Sequence, residues 1–272
     1  MKNRSTRKKT SPRKLHDRLI EHFEVLRIPV SPEQLETVVA RAEREGLSHL
    51  EFLETLIGEQ ADQRRQRSIE RRIRNARFPE PRTLETFDWA FNAQAIDRVQ
   101  IEELATGDFV RRGDNLVVVG QSGVGKSHLI QAIGRRACAF GYRVRYSTSA
   151  ALLADLTACL ADQTLPARLR YYTRFDLLII DEFGFDRIER AESVQAASLL
   201  YKIVDQRCQA RSTAVVTNVD FDAWGDYLDD PPLAMAFLDR LVDGSIIIKI
   251  EGKSYRAARA KQPGKTTKTQ AT

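Results

Sequence analysis

Apolar positions in the first 80 residues recur at helical spacing. Leu15, Leu19, Phe23 and Leu26 mark one face between Leu15 and Ile28, and Leu35, Val38, Val39 and Ala42 mark another. Ser31-Pro32-Glu33-Gln34 reads as a helix start, with a serine cap, proline at the first position and acids in the first turn. Gly46 breaks that helix. Ser48 and Glu51 then set a capping box for a helix reaching Ile57, and an arginine-rich helix is expected from Ala61 to Arg77, with Pro79 and Pro81 as a hinge. Beyond residue 115 the pattern changes. Leu116–Val119, Arg143–Ser147, Leu177–Ile180, Thr213–Asn218 and Ile246–Ile250 read as short strands. Between them lie helical stretches over 126–140, 150–160, 165–174, 193–210 and 232–242. Such alternation predicts an α/β domain with a parallel sheet and helices on both faces, preceded by a small all-helical domain. The expected organisation is a basic disordered arm over 1–14, a helical domain over 15–80, the α/β domain over 81–256 and a basic disordered tail over 257–272.

Composition narrows the class. The 272 residues are 42% hydrophobic and 29% charged, as in a soluble globular protein, and no apolar run approaches a membrane span. The basic N-terminus has no apolar stretch behind it, so no secretory signal is expected and the location is cytoplasmic. Cys138, Cys159 and Cys208 are isolated, and the four histidines, His16, His22, His49 and His128, form no ligand pattern. Reduced thiols and the absence of a zinc site follow as expectations. The net charge of +6 is unevenly spread: residues 1–80 carry +5, residues 81–251 carry −5 and residues 252–272 carry +6. Basic ends around an acidic middle point to a polyanion, nucleic acid first, although solubilising tails would look the same.

The strongest chemical signal is Gly120-Gln121-Ser122-Gly123-Val124-Gly125-Lys126-Ser127, a complete G-x-x-x-x-G-K-[ST] phosphate-binding loop. It follows the apolar run 116–119 and precedes the helical stretch that opens at His128, the context such a loop requires. Its glycines allow the turn that aims backbone N–H groups at phosphate, Lys126 supplies a cation, and the Ser127 hydroxyl can ligate Mg²⁺. The following helix adds its positive end.

The second signal is Leu177-Leu-Ile-Ile-Asp181-Glu182. Four apolar residues make a strand buried on both faces, and acids emerge at the sheet edge where ligands sit in open α/β folds. Asp181 is expected at Mg²⁺, and Glu182 as the base that activates the attacking water. Asn218 ends the next strand; in an additional-strand ATPase it would face the γ-phosphate and the lytic water, the lesser alternative being an ordinary strand end. Arg240, on an amphipathic helix with Met235, Leu238 and Leu241, is either a solvated arginine or one that reaches the ATP site of a neighbouring subunit. Phe87, in the apolar segment 83–89, packs either on adenine or in the core.

These stretches resemble the IstB-type transposition helper ATPases, AAA+ partners of insertion-sequence transposases that are similar to the DnaC-type helicase loaders. The likeness lies in Leu84–Trp89, Asn115–Leu129, Asp176–Gly184, Thr217-Asn218, Phe221–Gly225, Leu238–Asp243 and Ile250–Arg256, and covers nearly the whole chain. It implies a P-loop NTPase fold of the AAA+ (ASCE) type, with ATP and Mg²⁺ as cofactors. It implies ATP-dependent homo-oligomerisation, as a spiral or ring, on double-stranded DNA and recruitment or stimulation of a cognate transposase. It further implies Arg240 as a finger in trans and Arg256 as a second nucleotide-sensing or inter-subunit arginine. Ser127 stands where threonine is more usual, and Gln121 where proline is frequent. Because the chain ends soon after the core, no helical lid domain is expected. The nearest rival reading is a helicase loader. Others are a metabolite phosphotransferase, which has less use for Glu182, and a DNA-binding adaptor with a vestigial nucleotide site.

Overall fold

The computed structural model describes residues 12–184, 196–228 and 230–260; the segment 1–11, the start of the helix expected from 193 and the tail from 261 lie outside the described residues. Two compact units are present, Met1–Ser68 and Ile69–Thr272.

In the first unit, α1 (Pro12–Val25), α2 (Pro32–Glu45) and the start of α3 (His49–Ala76) surround a small core of Val30, Leu35 and Leu56. Helix α1 begins at Pro12, so the last residues of the expected arm are helical. Both capping boxes form. Gln34 N donates to Ser31 Oγ at 3.2 Å while Ser31 N donates to Gln34 Oε1 at 3.0 Å. Ser48 N donates to Glu51 Oε2 at 2.7 Å, with Glu51 N returning to Ser48 Oγ at 3.3 Å. Gly46, at φ 62°, closes α2 in the left-handed conformation. The two helices expected around Ile57 and Ala61 are one continuous helix, since nothing between them breaks the backbone ladder. The boundary between units lies within α3 rather than at Pro79–Pro81, because Ile73, Ala76 and Phe78 belong to the core of the second unit.

That second unit is a five-stranded parallel sheet in the order β2-β3-β4-β1-β5. The strands are β1 (Leu116–Gly120), β2 (Val144–Thr148), β3 (Leu177–Phe183), β4 (Ser212–Thr217) and β5 (Ile246–Ile250). Placing β4 between β3 and β1 is the additional-strand arrangement read from the sequence, and it brings Asn218 beside the phosphate loop. Side chains alternate across the sheet. Leu116, Val118, Val144, Leu177 and Ile179 face α6 (Lys126–Ala139) with α4 (Arg98–Leu104) and α5 (Asp108–Arg112) beside it. Val117, Val119, Leu178 and Ile180 face the opposite layer. That layer is made by α7 (Ser149–Ala161), α8 (Leu165–Thr173), α9 (Ala196–Arg207), α10 (Trp224–Leu228) and α11 (Pro231–Val242). A last short helix, α12 (Tyr255–Ala260), follows β5.

Two buried polar groups fix the strand starts. Asn115 accepts from Thr213 N at 2.9 Å and donates to Leu241 O at 3.0 Å, which ties β1 to β4 and α11. Arg207 is wholly buried and donates to Tyr172 O at 2.7 Å, Phe175 O at 2.9 Å, Ser212 O at 2.5 Å and Thr213 Oγ1 at 3.1 Å. Burial, reinforced by Arg211, pulls this guanidinium down to about 9, against the opposing effect of Asp176. No described helix is long and apolar enough to cross a membrane.

Candidate functional site

Glycine sets the shape of the loop between β1 and α6. Gly123 and Gly125 adopt φ 86° and 106°, where a side chain is strained. A Cβ on Gly125 would also lie 2.9 Å from Phe87 Cε2. The loop opens onto the first turn of α6, which no side chain caps. Lys126 is largely buried and its Nζ donates to Gly120 O at 2.6 Å and Gln121 O at 2.9 Å. Burial lowers its pKa and Arg256 adds to that, while Asp181 opposes both.

Asp181 lies at the centre of the site. It follows Ile179 by two residues and so projects to the α6 side of the sheet. It is 1% exposed, and Ser127 Oγ donates to its Oδ1 at 3.2 Å. The N–H of Glu182 donates to the same oxygen at 2.8 Å, and Tyr146 O–H donates to Oδ2 at 2.8 Å. Burial and the neighbouring Asp181 push the Tyr146 phenol far above its ordinary range, so it remains a donor.

Glu182 is exposed and sits at φ 60°, in left-handed backbone that a non-glycine residue seldom adopts. The cause is a bulge: Ile180 pairs with Val215 and Phe183 with Thr217, so β3 carries one residue more than β4 over that span. Phe183 returns to the core against Trp224 and Phe237, at 4.5 and 5.8 Å between ring centres, which anchors the bulge from its far side. The extra residue turns the Glu182 carboxylate outward instead of leaving it on the α7 face.

Lys126, Ser127, Asp181, Glu182 and Asn218 all line one cavity of about 1020 Å³. Phe87 lies on its rim, edge-on to Trp89 at 4.9 Å and to His128 at 5.1 Å. It packs against Gly125, which satisfies the core reading and leaves its edge on the cavity. His128, the residue after the loop and a nucleotide-site candidate with it, also lines the cavity, with Nε2 2.8 Å from Thr83 O. The opposite wall comes from the C-terminal strap, which the sequence did not reveal apart from Arg256. Tyr255 N donates to Gly123 O at 2.9 Å and Arg256 Nη2 to Ser122 Oγ at 3.2 Å. Asn92 exchanges two hydrogen bonds with Lys253, both 3.0 Å. These contacts join residues up to 161 apart, and only their polar character hinted at them.

Arg240 is placed elsewhere. Its backbone carbonyl lies by Asn115, at the start of β1, whereas the phosphate loop leaves the other end of that strand. Five strand residues separate the two by roughly 15 Å. Its Nε donates to Asp205 at 3.0 Å on the flank of α9. Among the described residues no cluster of His, Cys, Asp and Glu could hold a metal on its own. A hydroxyl and a carboxylate beside a phosphate cradle nevertheless suit Mg²⁺, which takes few protein ligands when a nucleotide supplies the rest. The donor set therefore fits a magnesium–triphosphate complex.

Comparison with known proteins also points to ATP binding. Residues 17–263 match the family described as IstB-like ATP binding protein. A Pseudomonas aeruginosa protein, named for ATP binding in insertion sequence IS21, is 35% identical over 234 residues, covering 86% of each chain. A Geobacillus stearothermophilus counterpart, from insertion sequence IS5376, is 32% identical over 243 residues, covering 89% of this chain and 94% of its own. Among solved structures, DnaI superposes with a TM-score of 0.52 at 22% identity, covering 62% of this chain and 91% of that one. The DnaC helicase loader gives 0.51 at 20%, covering 66% and 98%; at such identities the likeness speaks to the fold, that of the AAA+ P-loop domains.

Proposed function

The chain belongs to the IstB-like ATP-binding protein family, and from that premise we propose that it is a DNA-dependent AAA+ ATPase whose nucleotide state controls assembly on duplex DNA and the recruitment or stimulation of a transposase. The observation that carries the ATPase part is the Ser127–Asp181–Glu182 chain of hydrogen bonds at the mouth of the phosphate loop. It sets the Ser127 hydroxyl and the Asp181 carboxylate directly beside Glu182 on a strained bulge.

In this reading the loop residues Gly120 to Ser127 hold the phosphates through backbone N–H groups, and Lys126 exchanges its carbonyl partners for phosphate oxygens. Ser127 and Asp181 would hold Mg²⁺, which neutralises charge on the β- and γ-phosphates. Glu182 orients the attacking water and takes its proton, and Asn218 faces the same water from β4. Phe87 and the strap at 252–256 flank the nucleoside end. Arg240, roughly a strand length from its own loop, can act only on a neighbour's phosphate, which makes turnover depend on assembly. Lys and Arg side chains hold the DNA by its phosphates, with little reading of bases.

The insertion-sequence relatives match over most of both chains, whereas the helicase loaders share the fold alone, and this favours the transposition reading. Titration of fluorescent duplex and single-stranded DNA with the protein and an ATP analogue tests it. Tighter ATP-dependent binding to the duplex, with particles larger than one subunit, is expected. Preference for single strands would instead support a helicase loader.

A further inference from the structure

We propose that Tyr146 is a positioning residue for nucleotide turnover, whose O–H holds the Asp181 carboxylate in the one orientation that serves both Ser127 and Glu182. The inference rests on the magnesium–ATP reading of the site and assigns a residue outside both acid and loop motifs. Asp181 has two oxygens with different duties. Oδ1 accepts from Ser127 Oγ and from the Glu182 N–H, and Oδ2 accepts from Tyr146 alone among the hydrogen bonds of the described residues. Rotation about the last torsion of an aspartate is soft, so a carboxylate held at one oxygen only can swing. The tyrosine removes that freedom.

Its own placement is rigid. Tyr146 stands on β2 opposite Ile179, one pleat before the Thr148–Asp181 pair, and leans along the strand to reach the carboxylate. The residue is 8% exposed, and its ring packs on Phe78 at 6.1 Å between ring centres. Orientation of Asp181 matters twice over, because the Glu182 N–H on the bulge hangs from the same oxygen as Ser127. If the carboxylate turns, the metal-binding pair and the base lose register together.

Tyr146→Phe removes the hydroxyl and keeps the ring, so the core is retained. The experiment is a Mn²⁺ or Mg²⁺ titration of fluorescent ADP binding by the full chain, alongside binding in EDTA and a thermal melt. Outer-shell partners of metal ligands are worth about 10- to 100-fold. The half-saturating metal concentration should therefore rise about tenfold or more in Tyr146→Phe, while metal-free ADP affinity stays within about twofold of the wild type. A tyrosine that only fills the core would shift the melt and leave the metal midpoint in place, and that result overturns the proposal. If wild-type ADP binding itself ignores the metal, the magnesium–nucleotide reading fails and this inference falls with it. A metal-dependent wild type with an identical Tyr146→Phe variant refutes the positioning role alone.

Discussion

Replacing Glu182 separates chemistry from backbone strain. The residue is exposed and sits at φ 60° on the β3 bulge, with its N–H bonded to Asp181. Glu182→Gln keeps the shape and the strain but cannot take a proton. General-base assistance is worth about 10²- to 10⁴-fold, or about 3–5.5 kcal/mol of barrier, so turnover should drop by that factor. Stability should stay within about 0.5 kcal/mol, as at other exposed sites. Glu182→Gly removes the base and the strain together. Left-handed backbone costs a residue with a Cβ about 1–2 kcal/mol, and the greater freedom of glycine in the unfolded chain offsets about 0.5–1 of that. A net gain of about 0.5–1 kcal/mol is expected, raising Tm by about 1–4 °C in a unit of this size. Phosphate release and differential scanning calorimetry on the two variants provide the test. The expected pattern is that both lose turnover and only the glycine variant melts higher. Turnover by Glu182→Gln within about tenfold of wild type would refute the base assignment. A glycine variant that melts lower would refute the strain argument.

Arg240→Ala should bind nucleotide normally yet lose about 10³-fold or more of DNA-stimulated turnover, since the residue lies far from its own phosphate loop. Mixing it with Lys126→Ala should restore part of the rate, each supplying what the other lacks; a mixture that stays inactive argues against action in trans. Trp224→Ala should cost about 3–5 kcal/mol in urea unfolding, because the indole is fully buried, stacked on Phe237 at 5.5 Å and bonded to Val219 O at 3.1 Å. Duplex affinity should fall by about 10²-fold or more between about 50 and 200 mM salt if four or more phosphates are held, and a flat salt response would contradict backbone binding.

The parts of the site legible in sequence were those written in contiguous residues. The strand at 177–180 is buried on both faces, so its apolar run announced it, and the acids after it could only emerge at the ligand edge. The phosphate loop was legible for the same reason, its geometry being local. Side-chain alternation did not show the bulge that turns Glu182 outward, because register is set by the partner strand β4. Tyr146 looked like any strand aromatic, since its role arises from pairing with β3. The strap was hidden because Asn92 and Lys253 meet across 161 residues with no periodicity to connect them. Continuity of α3 was missed because the polar, arginine-rich stretch after Ile57 carries little apolar pattern and opens at Gly58, although no proline interrupts it. Its last turns bury Ala76 among residues of the second unit, and helical spacing alone could not say to which core they belong.

The central claim, that triphosphate held by Lys126, Ser127 and Asp181 governs assembly on duplex, is tested most directly by electron microscopy and mass measurement of the chain on a defined duplex. Three states suffice: wild type with Mg²⁺ and a non-hydrolysable ATP analogue, wild type with ADP, and Lys126→Ala with the analogue. Ordered multi-subunit particles in the first and none in the other two are predicted. The same particles in all three, or none in any, would contradict the account.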